Sequence, residues 1–469
     1  MQIFKTAFLV FFMSIVMPLS RVNADPNKLQ SFVETEAKEA GIPGVSYSYI
    51  SSGEVQFGNF GTTKKKNGKA VTSKTLFSLG SVSKSFTAIA IMQLIEKGAL
   101  KLDDPVSSHL SEFTGKPVGI ITVREMLSHT SGLSTLQGNQ HQMNLSIDED
   151  ALAKRVSDLL EVTPASKPGT NWAYSNANFQ LLSRIVEVLS GQQFEDYIET
   201  RVLSPIGMTD SRMIDWKVRE GDAVGHRHWF WTKVQYDGRG IGRGSFGQGG
   251  VVASARDMAK YLLMMMNGQD DVITSESKAQ MMQPASAVSP FYGFGWIIVP
   301  DRNMVLHDGQ NPGFEAFAVM QPEVQKAFVI LGNGSSGFGY GETGYLYKGA
   351  TVLALGGPEV LNSRITNKGI FFAVIAVPIL FLFSIVRTWR KRNNGTIVRK
   401  KSQIMFRCLT IVFALGLAYA LVVTVPASFG ANIQTAALYQ PDVGIFLFAG
   451  SLCAAMWASM QIWLLVKQK

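Results

Sequence analysis

A hydroxyl and an amine three residues apart can form a nucleophile and its base, and Ser81-Val82-Ser83-Lys84 offers that pair at the head of an apolar run. A serine hydroxyl is a weak nucleophile until a neighbouring base takes its proton. Residues three apart on a helix share a face, so Lys84 can reach Ser81. The helix N-terminus also favours negative charge near Ser81. A second word, Tyr174-Ser175-Asn176, precedes another helical stretch. A phenol near an ammonium is expected to have a lowered pKa and to shuttle a proton. Asn176 is placed to hold either a substrate carbonyl or the lysine. The third word, His307-Asp308-Gly309, leads toward Pro312-Gly313 and a strand expected to begin after Gly309. A strand edge beside the nucleophile can hold substrate by main-chain bonds, and Gly309 permits close backbone approach. Taken singly, each word is also a common structural piece: a capping serine with a surface lysine, a capped turn, a β-turn.

Taken together, their order and their spacing of about 90 and then about 130 residues resemble the serine β-lactamase/penicillin-binding-protein family, in its class C-like branch, with S-x-x-K, Y-x-N and H-x-G words. Further stretches are similar to that family: Leu76–Gly80, Thr122–Leu133, Gly249-Gly250 with Ser254 and Asp257, and Tyr292–Trp296. The likeness spans about residues 30–355. It implies an acyl-enzyme at Ser81, with Lys84 and Tyr174 exchanging the proton. It also implies an oxyanion hole from the backbone N–H groups of Ser81 and Gln310, and substrate contacts from Asn176, His307 and Gly309. No cofactor and no metal is implied. The family's usual lysine in the third word is replaced by His307, and a largely neutral imidazole holds a substrate carboxylate less firmly. Efficient β-lactam hydrolysis is therefore not expected. Small peptides, amides or esters are the expected substrates. The alternatives are a D,D-carboxypeptidase or penicillin-binding protein, and a non-hydrolytic receptor for cell-wall peptides. A third arises because an exported hydrolase followed by three spans resembles inner-membrane peptidases that remove an acyl-D-asparagine cap from prodrugs.

The elements that must position these words are legible from periodicity. Pro26–Ala40 spaces Leu29, Phe32, Val33 and Ala37 as on a helix. Gly44–Ile50 and Glu54–Gly61 read as a hairpin around Ser51-Ser52-Gly53. Ser83–Gly98 reads as a strong helix closed by Gly98. Helical patterns dominate about residues 100–265. Strand patterns return at Gly293–Val299, Phe314–Gln321 and Lys326–Gly332, and Tyr345–Leu355 reads as a closing helix. This order predicts an α+β fold of the β-lactamase/transpeptidase type: an antiparallel sheet built from both ends of the domain, flanked by helices, with an inserted helical subdomain. His129 is expected to make structural hydrogen bonds. His226 and His228 alternate as on a strand without a ligand cluster, and Trp229, Phe230, Trp231 and Tyr236 form an aromatic patch expected to pack.

The two chain ends hold the excess of apolar residues behind a content of 46% hydrophobic and 17% charged. Lys5, the apolar run Phe8–Leu19 and Val22-Asn23-Ala24 read as a signal peptide over residues 1–24. An exported domain follows over 25–360, then a connector over 361–368. A membrane domain fills 369–469, with apolar segments at about 369–386, 408–429 and 443–466, each near the ~20 residues that cross a bilayer. Ten basic residues and one acid lie from Arg387 onward, so the net charge of +9 sits entirely there. The rest is neutral, and nucleic-acid binding has no electrostatic basis. Basic residues between the first two spans place that loop in the cytoplasm. The expected location is therefore the inner membrane, as a multi-pass protein in contact with the bilayer, with the catalytic domain outside. Oligomeric state is left open. Cys408 and Cys453 fall in the spans, so the exported domain has no cysteine for a disulfide or a nucleophile.

Overall fold

The computed structural model describes residues 25–140, 144–215, 219–237, 240–336, 343–357, 368–393 and 401–466. The expected signal peptide and residues 361–367 of the connector lie outside them.

Helix α1 (Pro26–Glu39) starts at Asp25, whose carboxylate accepts the N–H groups of Asn27 and Lys28, and it buries Leu29, Phe32, Val33 and Ala37. Strands β1 (Gly44–Ser51) and β2 (Glu54–Gly61) form the expected hairpin. Short β3 (Leu76–Ser78) leads into helix α2 (Ser83–Glu96) through a single tight turn, Gly80–Val82. Phe86, Ile89, Ala90 and Ile91 are all fully buried. A helix apolar on every side belongs in a core, and each such large side chain contributes about 1.5–3 kcal/mol on burial.

The middle of the chain adds α3 (Asn176–Ser190), β4 (Arg212–Met213), β5 (His226–Trp229), β6 (Thr232–Gln235), α4 (Phe246–Gly249), β7 (Val251–Ser254) and α5 (Ala255–Met266). Then come β8 (Ile297–Val299), β9 (Met304–Asn311), β10 (Phe314–Gln321), β11 (Lys326–Gly332) and α6 (Gly344–Ala354). Among the described residues the main sheet runs β2-β1-β11-β10-β9-β8, antiparallel throughout. Both chain ends of the domain therefore build one sheet, as expected. Alternation splits its faces: Tyr47, Phe317, Val319, Phe328 and Ile330 pack with α1 and α6, whereas Ala316, Ala318, Met320, Val329 and Leu331 pack with α2, α3 and α5.

One sequence expectation is corrected. The third word is not a turn ahead of a strand but lies inside β9. Its turn is Pro312-Gly313, with Gly313 at φ +85°, and Phe314 pairs back to Asn311. The strand is expected to begin after Gly309, yet cross-strand pairing to Ala316 places that glycine within it. Pairing with β8 ends at Leu306, so residues 307–311 continue as an edge.

Beyond the domain, α7 (Lys368–Asn393), α8 (Lys401–Tyr419), α9 (Ile433–Tyr439) and α10 (Pro441–Val466) follow. Three helical stretches, Phe372–Asn393, Ile404–Ser428 and Pro441–Val466, are long and apolar enough to cross a membrane. The second includes a π-helical segment, Ala420–Thr424, just before Pro426, the local adjustment that a missing proline N–H invites.

Candidate active site

Ser81 stands on the tight turn between β3 and α2, half-buried. Gly80, at φ +52°, turns the chain there, and a Cβ at this position would lie 2.8 Å from the Gln310 carbonyl carbon. A Cβ on Gly309 would collide with the Leu79 carbonyl and lie 2.8 Å from the Ser81 nitrogen. Two glycines thus bring the β9 edge against the nucleophile's turn, with the backbone nitrogens of Ser81 and Gln310 on the same small space.

Lys84 sits one turn along α2 and is fully buried. Its Nζ lies 3.0 Å from Ser81 Oγ and donates to the Gln248 carbonyl at 3.0 Å. Burial pushes the amine well below its ordinary pKa, and the nearby Asp308 carboxylate only partly opposes this. A lysine whose proton is held less tightly than usual is better suited to act as a base. Gln248 is held in turn by Gln180, whose Nε2 donates to its Oε1 at 2.8 Å. Thr87 donates to the Gly247 carbonyl at 2.6 Å, clasping α2 to α4.

Tyr174 is hydrogen-bonded to Ser81, and its ring centroid lies 5.0 Å from Lys84 Nζ. The expected lowering of its pKa does not occur. Burial pushes the phenol up, outweighing the bond to Ser81, and Asp308 adds to the rise. An amine that carries its charge less readily stabilises a phenolate less, so both shifts favour a neutral phenol beside the amine. His129 supports the tyrosine. Its ring stacks 4.3 Å from that of Tyr174, and its Nδ1 accepts the Ser175 N–H at 3.1 Å. This structural role is the expected one.

His307 is almost completely buried, and burial pulls its pKa down to about 4. Its Nδ1 donates to the Asp308 carbonyl at 2.5 Å, which leaves Nε2 to accept from the Tyr292 hydroxyl at 3.0 Å. The ring is neutral, as the sequence suggests, and both nitrogens are engaged within the protein. Asn176 opens α3 and donates to Asn139 Oδ1 at 2.7 Å rather than to the lysine, while its own Oδ1 is buried without a protein partner.

The structure thus brings Ser81, Lys84, Tyr174, Asn176, His307, Gly309 and Gln310 to one cleft. Three further contributors were not singled out from sequence. Gln248 orients the lysine. Asn311 donates to Ser78 Oγ at 2.7 Å and to the Gly249 carbonyl at 2.9 Å, tying β9 to both neighbours of the nucleophile. Asp308 places a carboxylate whose field acts on Lys84, Tyr174 and His307. Only the place of Asp308 inside the third word and of Asn311 two residues beyond it hinted at them. Gln248 carries no sequence signal, because it serves through its backbone carbonyl. Among the described residues no group of three or more His, Cys, Asp or Glu side chains is arranged to hold a metal.

A family model described as Beta-lactamase matches residues 29–351. The chain is 26% identical over 434 residues to Protein flp of Staphylococcus aureus strain MW2, covering 85% of this chain and 83% of that one. It is 25% identical over 362 residues to penicillin-binding protein 4* of Bacillus subtilis strain 168, covering 72% and 78%. Among solved structures, the octameric penicillin-binding protein homologue from Pyrococcus abyssi superposes with a TM-score of 0.62 at 27% identity, covering 75% of this chain and 82% of its own.

Proposed function

This chain belongs to the Beta-lactamase family, and from that premise we propose that it cleaves an amide or ester through an acyl-enzyme at Ser81. Neutral Lys84 takes the hydroxyl proton as Ser81 Oγ bonds to the substrate carbonyl carbon. The backbone N–H groups of Ser81 and Gln310 receive the oxyanion; losing one such donor typically costs about 10²–10³ in rate. The bond to the leaving amine or alkoxide breaks as the Tyr174 phenol donates its proton, which Lys84 restores. Water then releases the acyl group by the reverse proton path. The observation that carries this reading is the fully buried Lys84 at 3.0 Å from Ser81 Oγ, its pKa pulled down by burial. A receptor without turnover has no use for an amine so placed and so shifted.

The substrate reading follows from charge. Where the family's third-word cation would meet a carboxylate, this cleft has a neutral His307 with both nitrogens engaged, and Asp308 adds negative charge. That disfavours β-lactams and peptides ending in a free carboxylate, and favours neutral or amine-bearing amides and esters. A D,D-carboxypeptidase role is accordingly the weaker alternative. We place the enzyme in the cytoplasmic membrane with this cleft outside, on the basis of the basic stretch between the first two apolar helices.

The test is labelling of the full-length protein with a fluorescent fluorophosphonate. Label on the wild type and none on Ser81→Ala is the expected result. Equal labelling of both forms would remove Ser81 from the mechanism.

A further inference from the structure

The helices beyond the catalytic domain do more than follow it. The segment between the second and third apolar helices, residues 430–440, lies against the cleft. Asn139, whose Oδ1 accepts from Asn176, donates its Nδ2 to the Gly430 carbonyl at 2.8 Å. Asn432 donates to the Gln140 carbonyl at 3.0 Å, and Thr435 Oγ1 to the Asn139 carbonyl at 3.4 Å. At the other end, Arg227 donates to the Leu438 carbonyl at 2.8 Å. The Phe230 N–H donates to Asp442 Oδ2 at 2.7 Å, and Asp442 is fully buried. A hydrogen-bonded path thus runs from the Tyr-Ser-Asn word directly into the membrane domain.

Between these clamps, α9 ends at Tyr439. Its phenol is near enough to Tyr174 to disfavour ionisation of the catalytic phenol. Ser81, Tyr174, Asn176, Asp308, Gln310 and Tyr439 each keep part of their surface exposed.

We infer that residues 430–440 form a wall of the active site, and that Tyr439, supplied by the membrane domain, is a specificity-determining residue that limits the size of the acyl group Ser81 accepts. The inference rests on the acyl-enzyme reading above and adds to it the substrate class: amides and esters of small acyl groups. A polar pair, Asn139 with Asn176, holds the wall at the cleft, so the fit depends on the loop being docked. Gly430 is the tight point of that docking. Its φ is +65°, and a Cβ there would meet Thr135 Cγ2 at 2.5 Å and Thr135 Cβ at 2.9 Å.

The experiment measures kcat/KM of the full-length protein in detergent for p-nitrophenyl acetate and p-nitrophenyl octanoate, with Ser81 labelling by a fluorophosphonate in parallel. Tyr439→Ala is expected to raise the octanoate-to-acetate ratio by about tenfold or more, the scale on which pockets discriminate added methylenes. Gly430→Val, which forces the loop away from Thr135, moves the ratio in the same direction. Tyr439→Leu stands in if the alanine variant does not fold. An unchanged ratio in folded Tyr439 and Gly430 variants overturns the wall while leaving the hydrolase intact. Absence of turnover and of Ser81 label in the wild type overturns the hydrolase, and the wall with it.

Discussion

In the proposed mechanism Lys84 and Tyr174 divide the proton work by burial. Taking the lysine out of water penalises its ammonium and lowers its pKa, and the tyrosine is held as a phenol for the mirror reason. Acylation requires the uncharged amine, so its rate rises with pH as Lys84 loses its proton and then levels. With the pKa depressed, that rise is complete well below the ordinary 10.5. Rates of fluorophosphonate labelling between pH 5 and 10 would show it, and a rise still centred near the ordinary value would contradict the assignment. Tyr174→Phe removes the leaving-group proton donor and is expected to cost about 10²–10⁴ in amide turnover. Asp308→Asn removes the negative charge beside the oxyanion space. Steady-state assays on matched substrates should show carboxylate-bearing ones gaining about tenfold over their amides, a difference of about 1.4 kcal/mol.

At the scale of elements, the site exists because an edge strand and a helix turn approach at two glycines. Gly309→Ala places a methyl against the Leu79 carbonyl. The strand must retreat, at about 1–3 kcal/mol for a forced fit. Thermal denaturation should report that loss, and Ser81 labelling should fall far more steeply than stability. The helical half depends on a different feature. Arg243 is buried against Glu187 on α3 at 2.6 Å and against Glu195 at 2.8 Å. Arg243→Met removes one of the two cations on buried Glu187, leaving Arg184 at 2.9 Å, and is expected to destabilise by about 1–3 kcal/mol, whereas pairing it with Glu187→Leu recovers part of the loss. Denaturant unfolding of the two variants checks this. The helix carrying Ser81 and Lys84, the hairpin β1–β2 and the return of strands near the C-terminal end of the domain were legible because their apolar spacing is local. Strand β9 was legible only in part. Gly309 and Pro312-Gly313 mimic a turn, and what makes a strand of it is pairing with β10 and β8.

For the whole molecule, the catalytic domain and the apolar helices share an interface. The β5–β6 hairpin presents Phe230 to Phe446, with ring centroids 5.9 Å apart, and Trp231 to Phe372 at 6.0 Å. The aromatic patch seen in the sequence packs, as expected, but its partners are the apolar helices. Asp442→Ala removes the carboxylate that receives the Phe230 N–H. Hydrogen exchange at residues 226–235 should then speed up while the core strands β10 and β11 are unchanged; no change at the hairpin would show that this contact does not hold the two parts together.

The sequence by itself determined the pairing of Ser81 with Lys84, the two-ended sheet, the three apolar helices and where the positive charge collects. All of these are written in short-range spacing and composition. The opposite pKa shifts of Lys84 and Tyr174, the engagement of both His307 nitrogens, the contacts of Gln248 and Asn311, and the approach of residues 430–440 to the cleft were decided only by the tertiary structure. The reason is physical. A pKa depends on how much water packing removes, and a contact such as that from Asn139 to Gly430, 291 residues apart, leaves no periodic trace in the chain that forms it.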